Sequence, residues 1–200
     1  MDEKIYEIKE SHIADPGALG TAGFALTTMA LSLVNAGIIP AANVFIFLPL
    51  ALVYGGLAQI LAGMWEFKKN NTFGAAVFTS YGSFWIAISL LFLFALHKTL
   101  PFGNLGQVLG WTLLLWWIPT IYFFIASFKT NWVLCITIGL LIIAFPALGF
   151  GNLAGASGAS AIQLGGWCGI LAAIGAWYLS AASVINSTFK KTVLSVGPIG

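Results

Sequence analysis

Apolar residues in this chain come in blocks of about 20, close to the length of helix that crosses a hydrocarbon core of roughly 30 Å. Six such blocks run over about 18–38, 44–66, 73–96, 106–127, 131–150 and 162–188. Polar and helix-breaking residues separate them. Gly37 and Pro40 follow the first block in "AGIIPAAN", and "EFKKNN", "HKTLPFGN" and "SFKTN" follow the next three. The fifth connection, "GFGNLAGASGAS", is built of small residues and carries no charge. Pro49, inside the second block, predicts a kink whose freed carbonyl is satisfied by neighbouring helices. The pattern predicts an all-α integral membrane protein, with a six-helix transmembrane domain over 18–188 and tails over 1–17 and 189–200.

Composition strengthens that picture. Of 200 residues, 60% are hydrophobic and only 7% charged, against roughly 25% charged in a soluble domain. The first tail, "MDEKIYEIKESHIADPG", is mixed in charge and has no apolar core, so it reads as a solvated segment rather than a signal peptide. Lysines set the orientation. Lys4, Lys9, Lys68, Lys69, Lys129, Lys190 and Lys191 fall on one side of a six-span topology and only Lys98 on the other. That bias puts both termini in the cytoplasm and the chain in the cytoplasmic (inner) membrane. The sequons "NNT" and "NST" then face the cytoplasm and read as chance. Trp65, Trp111, Trp132 and Trp167 lie near block ends, as in an interfacial belt.

A net charge of +2 gives no reason to expect nucleic acid. Cys135 and Cys168 lack CxxC spacing and read as small core residues, with no metal, disulfide or cofactor implied. No P-loop is present to feed an ATP-driven pump. Apart from Glu66 and His97 at block ends, the six blocks hold no Asp, Glu, Lys, Arg or His. Charges in a bilayer usually mark proton relays and ion sites. Their lack argues against a proton pump, and against an enzyme that needs an intramembrane base or metal.

The polar groups that remain are neutral. Thr27, Thr28, Ser32 and Asn35 lie on the first helix, Gln59 at the middle of the second, and Asn152 after the fifth. Thr72, Thr79, Ser80, Tyr81 and Ser83 cluster in the first half of the third. Each is either an interhelical hydrogen bond, contributing about 0.6 kcal/mol, or the lining of a polar path. Gln59 belongs in the bundle interior, because its amide is costly to leave unpaired in lipid. Helical spacing aligns Gly20, Phe24, Thr28, Leu31 and Asn35 on one face of the first helix. Gly165, Gly169, Ala173 and Ala176 form a small-residue stripe on the last, which serves either close packing or a thin wall beside a path.

Longer stretches carry a resemblance. "DPGALGTAGFALTTMALSLVNAG" (15–37) resembles the signature of the acetate uptake transporter family, the succinate–acetate permeases, whose pattern is NPAPLGL followed by a phenylalanine–glycine–threonine–threonine stretch. "YGGLAQILAGMWEFKKNNTFGAAVFTSYGSFW" (54–85) is similar to that family's second and third helices, and "FGNLAG" and "GGW" also fit. The resemblance covers the chain from residue 14 to about 194. It departs at Asp15, where the family has asparagine, and at Gly17-Ala18, where it has alanine-proline. Asp15 either caps the first helix, as asparagine would, or meets and repels a substrate anion.

The resemblance implies a homo-hexamer of six-helix protomers with a pore through each protomer. It implies a constriction of Phe24, Tyr81 and Leu141 and a small carboxylate as substrate (acetate, and succinate with it). The neutral polar and small positions read above give the candidate path beside it: Thr27, Thr28, Asn35, Gln59, Thr79, Ser80, Ser83, Asn152 and Ala176. Neutral hydroxyls and amides can donate to a carboxylate without holding it as tightly as a lysine would. Two other readings fit the residues: a pore for a neutral solute such as ammonia or water, and a non-transporting structural membrane protein. Whether transport is passive or proton-coupled stays open, and with no intramembrane carboxylate a coupled proton would travel on the substrate.

Overall fold

The computed structural model describes residues 13–99 and 103–199, so most of the tail expected over 1–17 lies outside the described residues. Seven α-helices carry the described chain: α1 (Gly17–Asn35), α2 (Phe47–Leu52), α3 (Gln59–Lys68), α4 (Thr72–His97), α5 (Leu105–Ser127), α6 (Trp132–Ala154) and α7 (Ala159–Phe189). Asparagines start three of them: the side chains of Asn71, Asn104 and Asn131 accept the backbone N–H groups of Gly74, Gln107 and Leu134. Each cap satisfies an amide that has no carbonyl partner in the first turn.

The second apolar block is less regular than a kinked helix. A 3-10 turn (Ala41–Ile46) leads into α2, and a π-helical turn (Val53–Ala58) joins α2 to α3. Pro49 has no N–H to donate to the ladder, and Gly55 and Gly56 follow about two turns on, where the helix widens. Gln59 is the first residue after the widened turn.

The fifth connection is shorter than expected. Helix continues to Ala154, only Gly155–Gly158 departs from it as a 3-10 turn, and α7 begins at Ala159. Glycine, alanine and serine without proline leave the helical ladder intact up to the point where Gly155 turns the chain at φ +62. α6 and α7 then run antiparallel. Gly151 faces Ile162, Ala144 and Leu148 face Gly165, and Thr137 faces Gly175.

Five helical runs among the described residues are long and apolar enough to cross a membrane, the last being Trp132–Phe189, which contains this hairpin. α1 packs on α7, α6 on α5 and α7, and α3 on α4. Glycines permit the closest approaches: Gly23 lies against the Tyr54 carbonyl, and Gly166 against the backbone of Asn35 and Ala36, with no room for a Cβ at either. The interior holds an aromatic cluster that includes Phe24, Tyr81, Phe84, Trp85, Phe123 and Phe145. The outside is apolar too, with Leu115, Ile118, Ile125 and Ile136 more than half exposed, as are Trp65, Trp111, Trp132 and Trp167.

Residues beyond α7 fold back onto the bundle. Asn186 accepts the N–H groups of Val193 and Leu194 at 2.7 and 2.9 Å. The Gly197 carbonyl then accepts the Trp132 N–H at 2.8 Å, and Ile199 donates to Thr130 at 3.0 Å. The end of the described chain is thereby fastened over the start of α6.

Candidate functional site

Phe24 from α1, Tyr81 from α4 and Leu141 from α6 converge in the interior, with 8%, 2% and 5% of their surfaces exposed. The Phe24 and Tyr81 ring centroids lie 5.5 Å apart. Phe145 stacks on the Tyr81 ring at 6.3 Å and 10°, and Phe123 meets Tyr81 edge-on at 5.8 Å. A small cavity lies on each side of this group. One, of about 50 Å³, is lined by Thr28, Leu31 and Asn35; the other, of about 30 Å³, by Gln59, Thr137 and Ala176. Among the described residues, Phe24, Tyr81 and Leu141 alone line both, and they stand between the two chambers.

Each chamber adjoins a wider one. Toward Asn152, a cavity of about 320 Å³ shares Leu31, Asn35, Phe84, Leu113 and Leu148 with the first. Toward Asp15, one of about 730 Å³ shares Thr21, Val77, Phe78, Leu134 and Leu179 with the second. The four spaces thus follow one another through the bundle. α1 supplies a wall to each of them, because Thr21, Phe24, Thr28, Leu31 and Asn35 succeed one another on one helical face.

The small-residue stripe on α7 does both things that a stripe can do. Gly165 abuts Leu148, and Gly169 abuts the Ser32 hydroxyl. Both glycines also line the 50 Å³ chamber, and Ala176 the 30 Å³ one. Thr28 Oγ1 and Gln59 Oε1 are buried without a hydrogen-bond partner, one in each small chamber. Asn152 reaches the 320 Å³ cavity, while its Nδ2 donates to the Leu148 carbonyl at 2.8 Å.

Other hydroxyls are placed elsewhere. Thr27 is fully buried between helices and donates to the Leu50 carbonyl at 3.3 Å. Thr79 donates to the Ala75 carbonyl at 2.6 Å and Ser83, which is exposed, to the Thr79 carbonyl at 2.7 Å. Ser80 is half-buried, and with Thr27, Thr79 and Ser83 it lines none of these four cavities. Within the cluster of α4 hydroxyls, Tyr81 is the one that lines the two small chambers. Sequence reasoning did not reach Thr120, whose Oγ1 is 3.0 Å from the Tyr81 hydroxyl, nor Thr137 or Phe145.

At the wide end, Asp15 is both cap and tether. Its Oδ1 accepts the Gly17 N–H at 3.2 Å and the Lys69 ammonium at 2.8 Å, and its Oδ2 accepts the Ser183 hydroxyl at 2.7 Å. The carboxylate therefore starts α1, ties it to α7 and to the end of α3, and has its charge answered by a cation. Burial would raise the Asp15 carboxyl, but Lys69, Ser183 and the Gly17 amide together hold it below its ordinary value of 3.8; the same pair holds Lys69 above its ordinary value. Glu66, also in this cavity, has 1% of its surface exposed and accepts the Asn71 amide at 2.8 Å.

A carboxyl depressed in the folded state stabilises the fold above its unfolded pKa and stops doing so as pH falls through its folded one. Asp15→Asn is accordingly expected to melt below wild type at pH 7, and to meet it once pH is well below 3.8. The pair is half exposed, so the gap at pH 7 is about 1 kcal/mol or less. Melting curves of both proteins in detergent across that range check it.

Four likenesses bear on these observations. The sequence profile described as the GPR1/FUN34/yaaH family matches residues 1–199. The chain is 39% identical over 185 residues to the succinate-acetate/proton symporter SatP of Escherichia coli (strain K12), covering 92% of this chain and 96% of that one. It is 35% identical over 201 residues to acetate permease A of Emericella nidulans, covering 94% of this chain and 67% of the relative. The solved structure of the bacterial acetate channel SatP superposes with a TM-score of 0.85 at 39% identity, over 92% of this chain and 99% of that one.

Proposed function

This chain belongs to the GPR1/FUN34/yaaH family, and from that premise we infer that it is an integral membrane permease for acetate and for small carboxylates of the succinate kind. The observation that carries the reading is the waist: two chambers, each with an unpartnered polar group, whose linings meet only at Phe24, Tyr81 and Leu141. A carboxylate has an apolar end and a polar end. The rings and Leu141 limit its width, while Thr28 and Asn35 on one side and Gln59 on the other offer partners for its oxygens. None of these partners carries a charge, so the substrate is released as readily as it is taken up.

The rest of the proposal follows from that path. Each protomer holds its own pore, formed by the four cavities, with Ala176 and Asn152 beside it. With α6 and α7 counted as separate crossings, six helices span the membrane over 18–188. Both termini face the cytoplasm by the lysine bias, in the cytoplasmic membrane. Protomers associate, as a hexamer, through apolar outer faces. The protein is a transporter and not an enzyme, and uses no cofactor.

Purified protein in lipid vesicles tests the reading. Labelled acetate is expected to accumulate faster than in empty vesicles and to be displaced by succinate. Equal rates with and without protein would refute it. Vesicles that shrink and re-swell faster with protein, while labelled acetate stays outside, would point instead to a pore for a neutral solute.

A further inference from the structure

We propose that Lys69, Ser183 and the Gly17 amide form a carboxylate-binding site at the wide end of the path, which this chain fills with its own Asp15 and which a substrate carboxylate enters by exchange. This rests on the permease reading above and adds where the substrate is first held, and against what competitor.

Beyond its Cα, an aspartate is an acetate ion. Three donors of different kinds converge on that of Asp15: an ammonium at 2.8 Å, a hydroxyl at 2.7 Å and a backbone amide at 3.2 Å. A free carboxylate takes the same set, since both its oxygens accept and a charged donor binds it most strongly. The donors come from the start of α1, the residue after α3, and α7, so the cradle is built by packed helices and not by one turn of chain. Two departures from the family pattern meet here, Asp15 for asparagine and Gly17 for alanine. A Cβ on residue 17 would lie 3.2 Å from Asp15 Oδ1 and 3.6 Å from Oδ2, so the glycine leaves the carboxylate its room.

The site is open to solute. Lys69 and Asp15 have 40% and 45% of their side chains exposed. Asp15, Gly17 and Ser183 line the 730 Å³ cavity, which shares walls with the 30 Å³ chamber. Glu66 and Lys129 line it too; the Glu66 carboxylate is buried and engaged by the Asn71 amide. An ammonium without a counter-charge would hold a passing anion tightly, and passage needs binding weak enough to release. Asp15 supplies that counter-charge. A group tethered by a short segment competes at an effective concentration of roughly millimolar order, so the substrate displaces it only when abundant. The exchange swaps one ion pair and its hydrogen bonds for another, and no covalent bond changes.

Melting in detergent at pH 7, with sodium acetate compared against sodium chloride at equal ionic strength, tests the site without transport. Asp15→Gly removes one acetate-sized group and leaves the three donors. Acetate is expected to raise its melting temperature saturably, by more than it raises that of wild type, and chloride is not. Asp15→Gly/Lys69→Met is expected to lose that excess. Equal acetate effects on wild type and Asp15→Gly overturn the proposal, as does an excess that chloride reproduces or that survives Lys69→Met. If Asp15→Gly does not fold, Asp15→Ser, which is shorter and still caps α1, takes its place. In vesicles, Asp15→Asn keeps the cap and frees the Lys69 charge, so half-maximal uptake is expected at about threefold lower acetate. In a Lys69→Met background the same change is expected to leave that concentration unmoved, whereas a mere loss of negative charge would lower it there too. No fall in Asp15→Asn, or an equal fall in both backgrounds, overturns the exchange. Uptake absent from wild type would sink the permease reading, an outcome separate from the melting result.

Discussion

Leu141→Ala is expected to let lactate through while acetate still passes. Leu141 is buried and lines both inner chambers, so truncation joins the 50 and 30 Å³ spaces along one side of the waist. A leucine in a filled core costs about 2–5 kcal/mol when cut to alanine, the larger values going with larger residual voids. Here the side chain already borders open space, so the loss of stability belongs at the low end and the folded protein survives. A change of one or two carbon-sized groups in an apolar pocket is worth about tenfold or more in discrimination. The ratio of lactate to acetate uptake is expected to rise by about that much, measured in the same vesicles. A folded Leu141→Ala protein with an unchanged ratio would mean that the size limit lies elsewhere.

Gln59→Met is expected to gain stability and lose transport. Gln59 is 1% exposed, and its Oε1 has no partner within the protein. A buried acceptor left unpaired costs about 1–3 kcal/mol, and methionine of similar length removes that cost. If the amide is there for a passing carboxyl group, acetate uptake is expected to fall about tenfold, the size of one lost hydrogen bond of roughly 1.4 kcal/mol. Thermal melting in detergent and labelled uptake, taken together, check both halves. A less stable protein with unchanged uptake would assign Gln59 to packing alone.

The extent of the helices is written in the apolar blocks, and α1, α4 and α5 match them to within a few residues. Irregularity is harder to read. Pro49 announces a disturbance, but whether it becomes a kink or the π-helical turn at Val53–Ala58 depends on what Gly55 and Gly56 pack against, here Thr27 and Ile86. In the same way "GNLAGAS" looks like a loop until α7 packs along it and keeps it helical to Ala154. The waist came from family resemblance rather than periodicity, which aligns Phe24 with Thr28 and Asn35 but says nothing of Leu141. Hydroxyls are the least legible. Thr79 and Ser83 turn to carbonyls of their own helix, and Tyr81 to Thr120, 39 residues away; their composition is the same in either case. The Asp15–Lys69 pair, 54 residues apart, is equally silent in the chain. Such pairs exist only once helices have packed.

The central claim is that acetate crosses the membrane between Phe24, Tyr81 and Leu141. Leu141→Trp puts a bulky ring where the two small chambers meet, far from the outer faces of the bundle. The decisive measurement is the initial rate of labelled acetate uptake into vesicles holding wild type or folded Leu141→Trp, each compared with empty vesicles. Expected is uptake above background for wild type and a return to background for Leu141→Trp. Equal uptake by the two proteins would place the path outside this waist and contradict the claim.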